Sequence, residues 1–301
     1  MSATGALPTF IIIGAMKCGT SSLHYYLSKH PDISMSMPKE LNYFLSNFEG
    51  DKNLGLQGRN FERGLDWYAA HFNADSSARG ESSPAYMDPR HLGVAKRMHE
   101  CVPDALLIVL TRDPFDRAVS EYRHRVANGE EPRSLEEAIL DPSSSYVALS
   151  RYHACLESFY EYFGPGKIIR YRQEDLDAST REMVESVVTT LGVSHSVPIE
   201  GIDKRINTAS GRGALHRILS MGKGNPVRAY VARLLPSALK YKIDALSRQG
   251  SKSISQTDPT IESANGLRAR FLALLDDDIE ALNNDLSSGR LVEGFTPNGQ
   301  L

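Results

Sequence analysis

The sequence predicts an α/β protein built on an open, mainly parallel sheet with helices on both faces. Three observations predict it. The runs Phe10–Ile13 and Ala105–Leu110 are continuously apolar and rich in branched residues, the pattern of strands buried on both faces. Strand patterns alternate with helical ones along the first two thirds of the chain. Finally, the first apolar run feeds a glycine-bracketed turn, Gly14 to Gly19, and then a helical pattern.

The elements follow in order. Residues 1–8 read as a loose tail ending at Pro8, and Thr9–Ile13 as the first strand. Thr20–His30 reads as a helix closed by Pro31, because a residue before proline is pushed out of the helical region. A short strand is expected at Ile33–Met35, a polar loop over residues 46–64, and a short helix from Leu65. Arg79–Ser82 reads as a strand, Ser83-Pro84 as a turn, and Pro89–Glu100 as a helix. The second strong strand, Ala105–Leu110, leads to a helix over Phe115–Asn128 with Pro114 in its first turn, where the missing N–H costs nothing. Tyr152–Phe163 reads as a helix, Lys167–Arg172 as a strand, and Leu176–Leu191 and Ile261–Leu286 as helices. Residues 221–260, rich in Pro, Gly, Ser and basic side chains, read as a lid or a surface excursion from a single domain spanning 1–301.

Composition narrows the function classes. A chain of 301 residues with 41% hydrophobic and 24% charged content supports one large packed core. The net charge of -3 argues against a general nucleic-acid binder while leaving room for a local basic pocket. The three cysteines, Cys18, Cys101 and Cys155, are scattered and odd in number, so neither a disulfide framework nor a metal motif is expected, and a cytoplasmic location fits best. Phe10–Ile13 is too short to span a bilayer, and no cleavable leader pattern precedes it. Oligomeric state is not readable.

A strand, a glycine turn and a helix start form an anion cradle. The turn amides converge and the helix dipole adds positive potential. The spacing Gly14-x-x-x-x-Gly19 matches half of a Walker A motif, which gives a P-loop-like three-layer sandwich as the expected architecture. The lysine departs from that motif. Lys17 lies inside the loop, and Thr20-Ser21 stand where Lys-Ser/Thr would be required. In an open parallel sheet ligands gather at the carboxyl ends of strands. Arg112 lies at such an end, and Ser120 follows two helical turns later, so both are candidates for a second anion site. The competing reading pairs Arg112 with Asp113 or Asp116.

With these residues in view, the chain resembles sulfotransferases that use 3′-phosphoadenylyl sulfate (PAPS). Residues Pro8 to Leu23 are similar to their 5′-phosphosulfate loop and Leu110 to Tyr122 to their 3′-phosphate motif. Pro38-Lys39-Glu40-Leu41-Asn42-Tyr43-Phe44 resembles the catalytic-glutamate segment of the heparan sulfate and carbohydrate branch. Leu65 to Tyr68 and Gly80 to Tyr86 are similar to segments of the same branch. The similarity runs in order over residues 8–192.

The resemblance implies a set of roles. The backbone amides of Cys18, Gly19, Thr20, Ser21 and Ser22, with the hydroxyls of Thr20 and Ser21, hold the 5′-phosphate. Lys17 stabilises charge on the leaving oxygen, as preorganised cations do in group transfer. Arg112 and Ser120 take the 3′-phosphate, and Ser210, Gly211 and Arg212 match a late loop that closes over it. Glu40 is the base for the acceptor, partly desolvated by Leu41, Tyr43 and Phe44 so that its pKa rises. No metal is expected. The product of the donor is 3′-phosphoadenosine 5′-phosphate (PAP). The acceptor class implied is a hydroxyl, or less favourably an amine, on a carbohydrate, glycolipid or small metabolite, and peripheral membrane contact stays open.

Two positions depart from the relatives. Ser82 stands where some carry a functional lysine, and Asn42 where they have histidine. His24, one turn into the first helix, reads as a surface histidine rather than a second base. A P-loop kinase or nucleotidase and a non-catalytic PAP-binding protein remain competing readings. Against the kinase stand the displaced lysine and the want of a clear Walker B aspartate, since Asp113 follows Arg112, which would compete for it.

Overall fold

A computed structural model of the chain describes residues 6–46, 59–194, 199, 202 and 261–296. Of these, the residues up to 202 and from 265 onward belong to one compact unit. Residues 261–264 are grouped with a second unit that otherwise lies outside the described residues.

Six strands form one sheet in the order β2-β3-β1-β4-β5-β6, and every pairing is parallel. They are β1 Phe10–Gly14, β2 Ile33–Met35, β3 Ala78–Ser82, β4 Leu106–Thr111, β5 Ile168–Arg172 and β6 Val292–Glu293. β1 is buried along its whole length and β4 along all but its first residue, as their continuous apolar runs require. The two-residue strand β6 has no counterpart in the sequence reading. It is too short and too polar to carry a period.

Among the described residues the helices are α1 Thr20–Leu27, α2 Leu65–Ala69, α3 Val94–Cys101, α4 Pro114–Asn128, α5 Leu135–Ile139, α6 Ser145–Ala148, α7 Tyr152–Tyr162, α8 Gln173–Ala178, α9 Thr180–Thr190, α10 Ile261–Ala273 and α11 Asp276–Ser287. α1 carries the chain from β1 outward to β2, whereas α3 and α7 carry it the other way. Right-handed crossovers put these on opposite faces. The packing agrees, since α3 and α11 lie against α7 while α1 lies against α9. The winding reverses at β1, so the crevice outside its carboxyl end is the topological place for a ligand.

Several boundaries moved. The helix expected from Leu176 to Leu191 is two helices, broken at Ser179, whose φ of -139° and ψ of 57° leave the helical region. The helix expected to run to Leu286 likewise breaks at Leu275, which has φ -120° and ψ 1°. Both breaks lack glycine or proline, and an apolar stripe continues across them. α1 ends at Leu27 rather than His30, because the chain turns through Lys29 and His30, where the imidazole accepts from the amide of Asp32. α3 begins at Val94, after a Gly93 cap at φ 72°, and not at Pro89. The Ser83-Pro84 turn extends into a 3-10 turn, Pro84–Met87. Among the described residues no helix is long and apolar enough to cross a membrane. Residues 221–260 and the candidates Ser210, Gly211 and Arg212 lie outside the described residues.

Candidate active site

The loop leaving β1 is pinned to the next strand, with the amide of Ala15 donating to the carbonyl of Leu110 at 2.8 Å. A Cβ on Gly14 would fall 2.1 Å from Met87 Sδ, so the turn lies directly on the Pro84–Met87 segment. Lys17 and Gly19 both have positive φ, 70° and 88°. At Gly19 a Cβ would also meet Leu176 at 3.2 Å, so only glycine fits without strain.

Of the five amides expected in the cradle, two are spent within the loop. Cys18 donates to Ala15 O at 3.3 Å and Ser22 to Gly19 O at 2.9 Å. The amides of Gly19, Thr20 and Ser21 have no acceptor among the described residues. Three donors without an acceptor at a helix N-terminus have the chemistry to take an anion. Cys18 is buried, and burial pushes its thiol up to about 11, so its side chain is a neutral packing group.

Arg112 lies one residue past β4, half-buried, and Ser120 lies half-buried on α4. The pairing of Arg112 with Asp113 or Asp116 does not occur. Arg268, from α10, takes both: its Nη1 is 2.9 Å from Asp113 Oδ1, its Nη2 contacts Asp113 Oδ2, and its Nη1 lies 3.9 Å from Asp116 Oδ1. No carboxylate pairs with Arg112 among the described residues. Its position is set from the main chain. The Tyr152 hydroxyl donates to Arg112 O at 2.9 Å, accepts from Arg112 N at 3.2 Å, and lies 3.4 Å from Cys18 Sγ. One buried phenol thereby ties the loop after β1 to the segment after β4. Nothing local marks Tyr152 for this, since it is 40 residues from Arg112.

Glu40 is carried by a segment laid along the end of β3. Ser36 N donates to Gly80 O at 2.9 Å, Ser82 N to Lys39 O at 3.4 Å, and Asn42 N to Ser83 Oγ at 3.1 Å. Asn42 has φ 49°, a conformation asparagine tolerates. The expected desolvation of Glu40 is not found. Leu41, Tyr43 and Phe44 turn into the core, where Tyr43 stacks on Tyr68 at 4.1 Å, and the Glu40 side chain stays 51% exposed. Its Oε1 accepts from Lys39 Nζ at 2.9 Å, and the same Nζ reaches Thr20 Oγ1 at 3.4 Å. Lys39 therefore links Glu40 to the phosphate loop.

His24 is not on the surface. α1 packs on β3 and turns the imidazole inward, where Nδ1 lies 3.1 Å from Ser82 Oγ. Burial first, and the Lys39 charge second, lower its pKa to about 4, so the ring is neutral at pH 7. Its Nε2 and the Oδ1 of Asn42 are buried with no hydrogen-bond partner. Ser82, one of the two positions that depart from the relatives, thus pairs with His24, while Asn42 is buried and bonds Ser83.

The parallel α/β sheet carries a glycine turn and helix start after β1, and after β4 an arginine with no carboxylate partner among the described residues. The profile of the Sulfotransferase family matches residues 8–196, and the chain belongs to that family. Among curated relatives, a membrane-associated sulfotransferase, kil1, of Dictyostelium discoideum is 37% identical over 125 residues, 40% of this chain and 23% of that protein. The human bifunctional heparan sulfate N-deacetylase/N-sulfotransferase 2 is 28% identical over 206 residues, 62% of this chain and 22% of that protein. The chain thus spans under a quarter of the length of these relatives. A solved sulfotransferase from Alicyclobacillus acidocaldarius superposes with a TM-score of 0.57 at 27% identity, covering 82% of this chain and 98% of that one.

Proposed function

We propose that the chain transfers the sulfuryl group of PAPS to a hydroxyl of a carbohydrate acceptor. One observation supports this reading: at adjacent strand ends, the amides of Gly19, Thr20 and Ser21 after β1 have no acceptor, and Arg112 after β4 has no carboxylate partner, among the described residues. A donor phosphorylated at both 5′ and 3′ positions needs two anion sites. Ser120 supplements Arg112, and Ser210, Gly211 and Arg212 remain candidates for the same phosphate.

In the proposed step the acceptor oxygen forms a bond to sulfur while the bond from sulfur to the 5′-phosphate oxygen breaks. The acceptor proton passes to the carboxylate of Glu40, and PAP leaves with the bonding pair. Lys17 opposes the charge that grows on the leaving oxygen, a contribution worth roughly 10²–10³ in rate. The engagement of Asp113 by Arg268 supports this over a kinase, because Asp113 is then not available as a Walker B group. The names of the heparan sulfate relatives favour a sugar acceptor. Lipid-linked sugars and peripheral membrane contact stay within the proposal, as does a cytoplasmic location, for which the three unbridged cysteines speak.

The test has two parts. PAP should raise the melting temperature, and ATP with magnesium should not. Labelled PAPS should then pass its label to O-acceptor glycans in preference to glycans with free amines, and Lys17→Ala should abolish that transfer. A protein stabilised by ATP and indifferent to PAP is a kinase-type enzyme. One that binds PAP but transfers to no acceptor is the non-catalytic alternative.

A further inference from the structure

The Arg268 guanidinium lies in a peculiar place. It spans the two oxygens of Asp113 and approaches Asp116, the two carboxylates closest in sequence to Arg112. Asp113 is otherwise occupied only through its backbone and one oxygen. Its amide donates to Glu174 Oε1 at 2.8 Å, and its Oδ1 accepts from the Asp116 amide at 3.0 Å as the cap of α4. Glu174 faces Arg172 at 3.8 Å. Without Arg268, two uncompensated carboxylates would stand at the mouth of the second anion site. One of them, Asp113, adjoins the arginine that the phosphate needs.

We infer that Arg268 is a positioning residue for recognition of a 3′-phosphate. It neutralises Asp113 and Asp116, and so leaves Arg112 unpaired for the phosphate. The inference rests on the PAPS reading of the donor.

α10 does not depend on this ion pair to stay docked. Leu267, Phe271 and Leu275 are buried against Ala118 of α4, Ile139 of α5 and Val147 of α6, and Phe271 meets Phe115 edge-on at 6.0 Å. Burying such apolar surface fastens the helix independently. Removing the charge of Arg268 therefore tests electrostatics more than helix attachment.

The experiment compares PAP with 5′-AMP, which differs by the 3′-phosphate alone, by calorimetry on the full chain. In Arg268→Met, PAP binding should weaken about ten- to hundredfold, the range for a charged hydrogen bond, while 5′-AMP binding should hold. Adding Asp113→Asn, which keeps an N-cap side chain, should recover most of the PAP affinity. Equal loss for both ligands, no loss for PAP, or no recovery in the double variant would overturn the inference and leave the donor reading standing. A parent protein that binds neither ligand removes the donor reading and the inference together.

Discussion

The hydroxyl of Tyr152 stands 3.4 Å from the sulfur of Cys18, and the two groups come from elements 134 residues apart. The same hydroxyl holds both main-chain polar groups of Arg112, so the loop after β1 and the segment after β4 share one buried support. Tyr152→Phe removes that support and leaves the Arg112 amide without a partner. The expected cost is ~1–3 kcal/mol of stability, read by urea unfolding, with weaker PAP binding. Unchanged stability and unchanged PAP affinity would show that the link is incidental.

Glu40→Gln separates chemistry from binding. As the proposed base, Glu40 should account for ~10²–10⁴ of the rate at saturating donor, with the KM for PAPS near that of the parent. A fall in donor affinity with kcat preserved would instead assign Glu40 and its partner Lys39 to the phosphate loop, through the Lys39 contact to Thr20.

Gly19→Ala puts a Cβ at φ 88° and 3.2 Å from Leu176. A non-glycine residue held in that region costs on the order of 1–3 kcal/mol. Thermal or urea unfolding should show a loss in that range, and PAP binding should fall further than stability alone accounts for, because the strained turn carries the cradle amides. A silent substitution would mean that the loop relaxes without loss.

Arg117 is fully buried on α4, with Nη1 2.9 Å from Glu121 Oε2, Nη2 2.8 Å from Tyr146 O and Nε 2.7 Å from Ser150 Oγ. Arg125 shares Glu121 from the rim at 2.8 Å. Arg117→Met leaves a buried carboxylate half-compensated, and removing one member of such a pair costs ~3–5 kcal/mol. The double variant with Glu121→Gln should recover part of this. A urea midpoint that hardly moves in the single variant would contradict the buried-pair reading.

Glu81 sets a pH dependence. Both its oxygens are buried without a hydrogen-bond partner, and burial pushes its carboxyl up to about 8, against a smaller downward pull from the neighbouring Tyr86 and Tyr68 hydroxyls. Its ordinary value is 4.5. Between those two values the unfolded chain has released the proton that the folded chain retains. Stability should therefore be whole below pH 4.5 as far as this group is concerned, and fall by roughly 1.4 kcal/mol per unit as pH rises towards 8. Glu81→Gln should flatten that slope in urea unfolding from pH 5 to 8. A slope that persists in the variant assigns it to other groups.

Much of the fold was legible because its strands carry their own signal. Phe10–Gly14 and Leu106–Thr111 are buried on both faces, and a continuous apolar run has no other use in a short segment. The turn from β1 into α1 was legible for the same reason, since glycine spacing and a helix start are local. The helix breaks at Ser179 and Leu275 were not, because the apolar period crosses them undisturbed and only packing bends the chain. The setting expected for Glu40 was misjudged: apolar neighbours in sequence did not become apolar neighbours in space. His24 erred the other way, its one-turn offset from the loop giving no hint that β3 would cover it.

The sequence by itself determined the parallel α/β order, the glycine turn after β1, and an arginine at the end of β4, because each depends on residues within a few positions of one another. Only the tertiary structure decided which charges are paired and which are left for a ligand. Asp113 meets Arg268 across 155 residues, and His24 meets Ser82 across 58. Electrostatic pairing acts through space, and no spacing along the chain encodes which carboxylate will find which guanidinium.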